Sequence, residues 1–486
     1  MSLALDVTPS SKHECSRKQA ERLGRAVRIR TITLPFGPPE SQPQYVEFRG
    51  FEEFLQKEFP RAATALRWEK PGPLSLLLTW PALERNLHGM LFYAHYDVVP
   101  ASGDAGWTHP PFSGDIADGF VWGRGTLDDK SCLLAIMEAV ESLLTEGFQP
   151  QGTVYIAFGG DEELGSSACA AASVARVLSE RGIRLSCVLD EGSVIADGVP
   201  LLASRPIAMF GLAEKGSANL EIVVRGSTGH AAMPGKGTAA GALCRVVAAI
   251  ERHRFPTRLT PTVARFFASL APHAKGPRKT ALRLLRLLWP VLRGPLSKNS
   301  TLDAFLRTTQ AVTMLRAGEK ENVVPDEARA VVNLRLLPGD TSAFALARIE
   351  RVARKSIPNG FLLKVNFAEG GKPGEAIPES RLQGELWSAL RDSLAQVAPD
   401  AVVAPCLVVA STDSRQFAGS ADAIVRFLPI ALTARDVARM HGVDERISLE
   451  NYGRMIAFYE NFVRRIAARQ WPIRSGASCS VGMEGV

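Results

Sequence analysis

At 486 residues the chain exceeds the length at which one hydrophobic core usually stops growing, so two domains are the expectation. With 46% hydrophobic and 22% charged residues it is ordinary globular material. The formal net charge of +7 is read as dispersed along helices with acids beside the bases, which argues for solvated faces and against a nucleic-acid groove.

The seven cysteines, at 15, 132, 169, 187, 244, 406 and 479, are odd in number and form no C-x-x-C pair. Reduced thiols and a cytoplasmic location fit that pattern. The first residues, MSLALDVTPSSKHECSRKQ, put no basic region before their very short apolar stretch, so no cleaved signal is expected.

Before residue 216, strand-like apolar runs alternate with helical patterns, the grammar of an α/β domain with a largely parallel sheet. A helix is predicted near 14–28, and Phe48, Phe51 and Leu55 mark a second helical stripe. The runs SLLLTW, MLFYAHYDVV, TVYIAFGG and LSCVLD follow as strands. Between the second and third, Leu133, Met137, Val140 and Leu144 recur at helical spacing, with Gly147 as a stop. Near 216 the pattern changes to NLEIVVRGS, a helix over about 238–253, a helical middle section, then QAVTMLRAG and ARAVVNLRLL. This reads as a smaller α+β insertion over 217–337. Alternation returns over 338–486, so residues 1–216 and 338–486 are expected to form one domain. The apolar segment 280–296 is shorter than a bilayer span and carries arginines and proline, so stable membrane insertion is not expected. It is read as an amphipathic helix packed on its own domain, the other reading being an interfacial helix. The small, polar tail from about 474 is expected to be disordered.

The chemistry lies in acids and histidines at the ends of strand-like runs. They are His95 and Asp97 in YAHYDVVP, Asp128 in GRGTLDDK, Glu162 and Glu163 in GGDEELGSS, Asp190 in CVLDEG, and His441 in ARMHGVDERI. His95 and Asp97 lie two apart on a strand and face the same way, so the carboxylate can fix the imidazole tautomer while the other ring nitrogen binds a metal. Asp128 follows a glycine-rich turn and precedes a helix; Asp129 is read as its cap and Asp128 as the group that reaches a metal. Glu162 and Glu163, read as extended chain, face opposite ways, so one can bind metal while the other addresses its water. Asp128, Glu163 and Asp190 bring three negative charges, which two divalent ions offset to a net +1 with neutral histidines. Mixed nitrogen and oxygen donors fit zinc, with manganese or cobalt as alternatives.

The ordered set H-x-D, G-x-G-x-x-D-D-K, E-E, D-E-G, G-H-x-x-x-P, N-V-V-P and H-G-x-x-E-R, running from about 90 to 450, resembles the M20 metallopeptidases and within them the carboxypeptidase S branch. The resemblance implies a zinc-peptidase-like α/β catalytic domain with two zinc ions per subunit and an inserted α+β lid or dimerisation domain. It makes His95, Asp128 and Asp190 ligands of one metal and Asp128, Glu163 and His441 ligands of the other, with Glu191 as the competing choice to Asp190. Glu162 is implied as general base and Asp97 as the orienter of His95. His230, in STGHAAMP, is implied to reach the partner subunit's active site in a homodimer and to bond the developing oxyanion. Asn322 in ENVVP, Arg335 in VVNLRLLP and Arg415 in VVASTDSRQF match substrate-contacting positions, although Ala410 and Ser411 replace glycines there. Arginine suits a free carboxylate because its planar fork binds both oxygens. A cis peptide at Asp128–Asp129 is implied as well. The expected substrate is a short peptide with a free C-terminal carboxylate, or an N-acyl amino acid, which presents the same amide.

Overall fold

A computed structural model of the chain describes residues 13–33, 38, 41–83, 88–103, 106–167, 169–197, 205–369, 373–380, 382 and 384–467. The tail from about 474, expected to be disordered, lies outside the described residues. No disulfide joins the described cysteines.

The apolar runs form a ten-stranded mixed sheet. Its order is Arg67–Glu69, Ser75–Trp80, Thr153–Gly159, His88–His95, Arg184–Asp190, Ile424–Arg426, Ile207–Glu214, Ile195–Ala196 and Ala431–Leu432, with Val402–Val408 paired to Ile207–Glu214. Alternate residues of these strands enter different cores. Leu76, Leu78, Met90 and Phe92 pack under the helices Lys130–Thr145, Gly384–Val397 and Leu449–Ala467, whereas Leu77, Leu91, Tyr93 and Tyr155 pack under Ala170–Glu180. A strand buried on both faces needs an unbroken apolar run, which is why these segments lack alternation.

Three central pairings are parallel, and His95 lies opposite Gly159, Phe92 opposite Leu189, and Asp190 opposite Arg426. The carboxyl ends of four strands therefore collect at one edge, and the chain just beyond them carries Asp97, Glu162, Glu163 and Glu191. Farther along, Arg446–Ser448 pairs antiparallel with Phe120–Trp122, which draws the His441 segment to the turn before Asp128.

A second, four-stranded antiparallel sheet has the order Thr309–Ala317, Glu327–Leu336, Gly216–Arg225, Leu362–Phe367. Burial alternates strictly along Glu327–Leu336, and in Gly216–Arg225 Leu220, Ile222 and Val224 pack under the helices Ala239–Arg252 and Ser342–Ser356, with Asn219 and Glu221 on the opposite face. The boundary expected at 338 is corrected here. Helix Ser342–Ser356 and strand Leu362–Phe367 belong to the second sheet, because Ala345, Ile349, Ala353 and Val365 share its core. A helix–strand alternation looks the same in sequence whichever sheet it serves. The middle section departs too: Val263, Phe266, Phe267, Leu282 and Leu285 pack on Ile207, Ala404 and Cys406 of the large sheet.

Ile349 is 1% exposed, so Ile349→Ala should cost about 2–5 kcal/mol of local stability. Amide exchange should speed up in Gly216–Arg225 and Glu327–Leu336 while His88–His95 keeps its protection. Faster exchange confined to the large sheet would restore the boundary at 338.

Candidate metal centre

His95 ends its strand with both ring nitrogens engaged: Nδ1 is 3.3 Å from Asp97 Oδ1, and Nε2 is 2.8 Å from Asp128 Oδ1. The second Asp128 oxygen, Oδ2, lies 2.9 Å from His441 Nε2, which is also 3.0 Å from Glu163 Oε1. Asp128 thus stands between two histidines with one oxygen for each. Donor atoms of His95, Asp128 and Glu163 all fall within 4.8 Å of one another. Atoms 2.8–3.0 Å apart can share an ion placed at about 2.0–2.2 Å from each, the range of zinc bonds to nitrogen and oxygen.

The charge distribution makes the same demand. Burial and the nearby Asp413 push the Glu162 carboxyl well above its ordinary value, and burial with Asp128 and Asp190 does the same to Glu191. Burial works against charge on His95, yet Glu162, Asp128 and Asp97 hold its pKa well above the usual imidazole value. Hydrogen bonding to Asp128 and Glu163 raises His441 to about 10. Against the cost of burial, the two histidines hold Asp128 below the usual carboxylate range. Glu162 Oε2 and Asp190 Oδ1 are buried without a hydrogen-bond partner among the described residues. So many acids with unmatched lone pairs call for cations, and the donor set fits a divalent metal.

Local structure fixes each group. Asp97 does more than orient His95: its Oδ1 accepts from Glu162 N at 3.2 Å and its Oδ2 from Glu163 N at 3.0 Å, so it also sets the glutamate turn. That turn is a 3-10 helix, Glu162–Ser167, rather than the extended chain expected, because the two amides fold back onto Asp97. Gly123 and Gly125 before Asp128 have φ of 137° and 89°, where a side chain would be strained. The Asp128–Asp129 peptide is cis, as the resemblance implied. The Asp129 side chain makes no cap hydrogen bond, contrary to expectation; its Oδ2 accepts from His95 N at 3.4 Å.

His441 itself sits at φ 58°, an uncommon conformation for a residue with a side chain. It is held by Glu445, whose role the sequence reading missed although its motif was noted. Fully buried, Glu445 accepts from Gly125 N and Leu127 N, both at 2.9 Å, and pairs with Arg124, whose Nη2 donates to Gly442 O at 3.1 Å. A second missed pair is Glu214–Arg426, both fully buried, with Arg426 Nε 2.7 Å from Glu214 Oε2 and 3.0 Å from Thr412 Oγ1. Thr412 bonds Ser414, whose amide donates to Asp190 Oδ2 at 3.1 Å. The available signal was a charged residue inside each of the apolar runs FGLAEKG and AIVRFLP.

His95, Asp97, Asp128, Glu162, Glu163 and His441 are therefore brought together, and Asp190 is buried at the end of the adjacent strand. Arg335 donates to Ser411 Oγ at 3.2 Å, and its pKa is lowered by burial and by Arg415 nearby. Arg415 donates to the Glu375 carbonyl at 2.7 Å. His230 and Asn322 are exposed beside each other at the ribbon Gly229–His230 and Val323–Val324, where Ala231 N donates to the Asn322 carbonyl at 3.0 Å. Among the described residues no contact joins His230 to the acidic cluster.

Acids and histidines gathered at the carboxyl edge of an α/β sheet, with paired arginines in reach of the same loops, define a metal-dependent hydrolase. The chain belongs to the peptidase family M20/M25/M40, whose model matches residues 91–465. It is 36% identical over 448 residues to the probable carboxypeptidase S-like 2 of Dictyostelium discoideum, covering 92% of this chain and 84% of that protein. An N-fatty-acyl-amino acid synthase/hydrolase of Danio rerio is 33% identical over 471 residues, covering 96% of this chain and 89% of that protein. Among solved structures, the M20 family metallo-carboxypeptidase from Sulfolobus solfataricus superposes with a TM-score of 0.68 at 16% identity, covering 93% of this chain and all of that one, a likeness of fold.

Chelation of divalent metal should lower the unfolding midpoint, because the acids then repel one another. Zinc restored at about a thousandfold over its dissociation constant should return about 4 kcal/mol. A midpoint indifferent to chelator and zinc, checked by calorimetry, contradicts a metal centre at these residues.

Proposed function

We propose that this protein is a di-zinc hydrolase that cleaves the amide beside a free carboxylate and releases an amino acid from a short peptide. The observation that carries this reading is Asp128, which offers one oxygen to the His95 side of the site and the other to the His441 side. His95, Asp128 and Asp190 would hold one ion, and Asp128, Glu163 and His441 the other. Two zinc ions there supply Lewis acidity toward the scissile carbonyl and lower the pKa of water. Glu162, on the same turn as Glu163, accepts the proton of the attacking water and returns it to the leaving amine. Asp97 keeps His95 in one tautomer and holds the Glu162 turn in place. Arg335 and Arg415 bind the substrate carboxylate: two neighbouring guanidinium groups, both partly buried, gain from an anion between them.

A second reading, hydrolysis of N-acyl amino acids, is favoured by the similarity to an N-fatty-acyl-amino acid synthase/hydrolase at nearly the same identity as to the carboxypeptidase S-like protein. Both substrates present the same amide and carboxylate, so product analysis with a dipeptide and with a long-chain N-acyl amino acid separates them.

Glu162→Gln should keep its metal and lower turnover by roughly a hundredfold or more, since it removes proton transfer without removing a ligand. His441→Ala should retain roughly one metal equivalent where the wild type takes up roughly two. Wild-type turnover in the first variant, or a single equivalent in fully active wild type, overturns these assignments.

The exposed position of His230 supports a homodimer in which the histidine serves the neighbouring chain's site as an oxyanion donor, worth roughly 3–4 kcal/mol in the transition state. His230→Ala should be nearly inactive with zinc retained. Mixing it with Glu162→Gln under subunit exchange should restore activity, because one site of the heterodimer then has both an intact base and an intact histidine. Exchange demonstrated by mass without recovered activity assigns His230 to its own subunit instead.

A further inference from the structure

The positive charge of this chain is not dispersed, contrary to the reading of the sequence. Residues 252–302 contain eleven Lys and Arg and no Asp or Glu, whereas the rest of the chain has 46 Lys and Arg against 50 Asp and Glu. The whole net positive charge therefore resides in one stretch, and that stretch holds the apolar segment 280–296.

In the structure this segment is two consecutive helices, Pro277–Arg283 and Leu285–Leu296. Leu285, Trp289, Leu292 and Leu296, spaced at helical intervals, pack inward on the core that includes Ala404 and Cys406. Leu284, Leu287 and Val291 form a second apolar stripe on the other side, exposed by 44%, 75% and 72%. Such a stripe is not required by the fold, since the inward stripe already supplies the packing. Six of the cations around it carry no carboxylate partner among the described residues. Arg254, Arg258 and Arg265 are paired with Asp303, Asp340 and Glu379, but Lys275, Lys279, Arg283, Arg286, Arg293 and Lys298 form no ion pair among the described residues. Protruding aliphatic side chains bordered by unpaired cations match the two layers of a membrane interface, acyl boundary and anionic headgroups. They match other occupants poorly. A second copy would meet this face with the same positive charge; a duplex would engage the cations through phosphate but leave the exposed aliphatic stripe without a partner, and a single strand would call for exposed aromatic platforms, whereas Trp289 packs inward.

We propose that the helices Pro277–Arg283 and Leu285–Leu296 dock this protein peripherally on anionic lipid surfaces, with Leu284, Leu287 and Val291 entering the headgroup boundary and the surrounding Lys and Arg meeting lipid phosphate and carboxylate. The attachment lies in the plane of the surface, and no helix among the described residues is long and apolar enough to cross a membrane.

The test is flotation of the full chain with phosphatidylcholine vesicles containing about 30 mol% phosphatidylserine, beside pure phosphatidylcholine vesicles, at about 0.1 M salt. The protein should float with the anionic vesicles, remain behind with the neutral ones, and detach as salt is raised. Leu287→Asp combined with Val291→Asp should weaken binding at least about tenfold, and Arg283→Glu combined with Arg286→Glu should do the same. Both variants change exposed side chains, so their unfolding midpoints and metal content should stay at wild-type values, which separates lost docking from lost folding. Absence of flotation with anionic vesicles, or flotation that survives both double substitutions, overturns the proposal. So does binding of duplex DNA or self-association through this face without flotation.

Discussion

The organisation of this molecule follows from the cost of gathering carboxylates. Glu162, Asp190 and Glu191 converge with Asp128 and Glu163 on one sheet edge, where burial and neighbouring carboxylates disfavour the charged forms of the first three. Nothing in a folding core tolerates such a cluster unless positive charge is brought to it. Two histidines and the metal chemistry they imply meet that requirement, and the surrounding structure holds them there. His441 reaches Asp128 across 313 residues of sequence, so the chain must return to its own first half for the site to exist.

That return is secured by buried polar contacts rather than by the metal ligands themselves. Glu445 binds the amides of the turn before Asp128, and its partner Arg124 binds the carbonyl of Gly442. The strand Arg446–Ser448 continues the same attachment through the Phe120–Trp122 ladder. On the far side, Glu214 and Arg426 fix Thr412, and through Ser414 they position Asp190. These pairs lie on different strands and loops, so a small displacement of one element is felt at the site through a fully buried charge. The unfavourable backbone of His441 is tolerated for the same reason.

Much of the site was legible because its chemistry sits at punctuation marks in the chain. An apolar run that ends in His-x-Asp, Gly-Gly-Asp-Glu-Glu or Asp-Glu-Gly announces a strand end, and parallel strands bring such ends together. The supporting residues were harder to see. Glu445 lies in a polar stretch, and Glu214 and Arg426 show in sequence only as charges within apolar runs, so burial and pairing are what reveal their role. Asp129 was misjudged because an aspartate before a helix usually caps it, whereas here its side chain is turned to the His95 amide. The boundary at 338 was misplaced because the pattern of helix and strand carries no label for the sheet it joins.

The sequence by itself determined the elements, the order of the chemical groups and the family, since periodicity and motif spacing are local properties of the chain. It also held the concentration of cations over 252–302, which a whole-chain average concealed. Only the tertiary structure decided which sheet each returning segment joins, which acids meet, and which of the two apolar stripes of 285–296 is left outside. Those outcomes depend on register and burial between segments hundreds of residues apart, where a single contact is set by all the others and no local pattern records it.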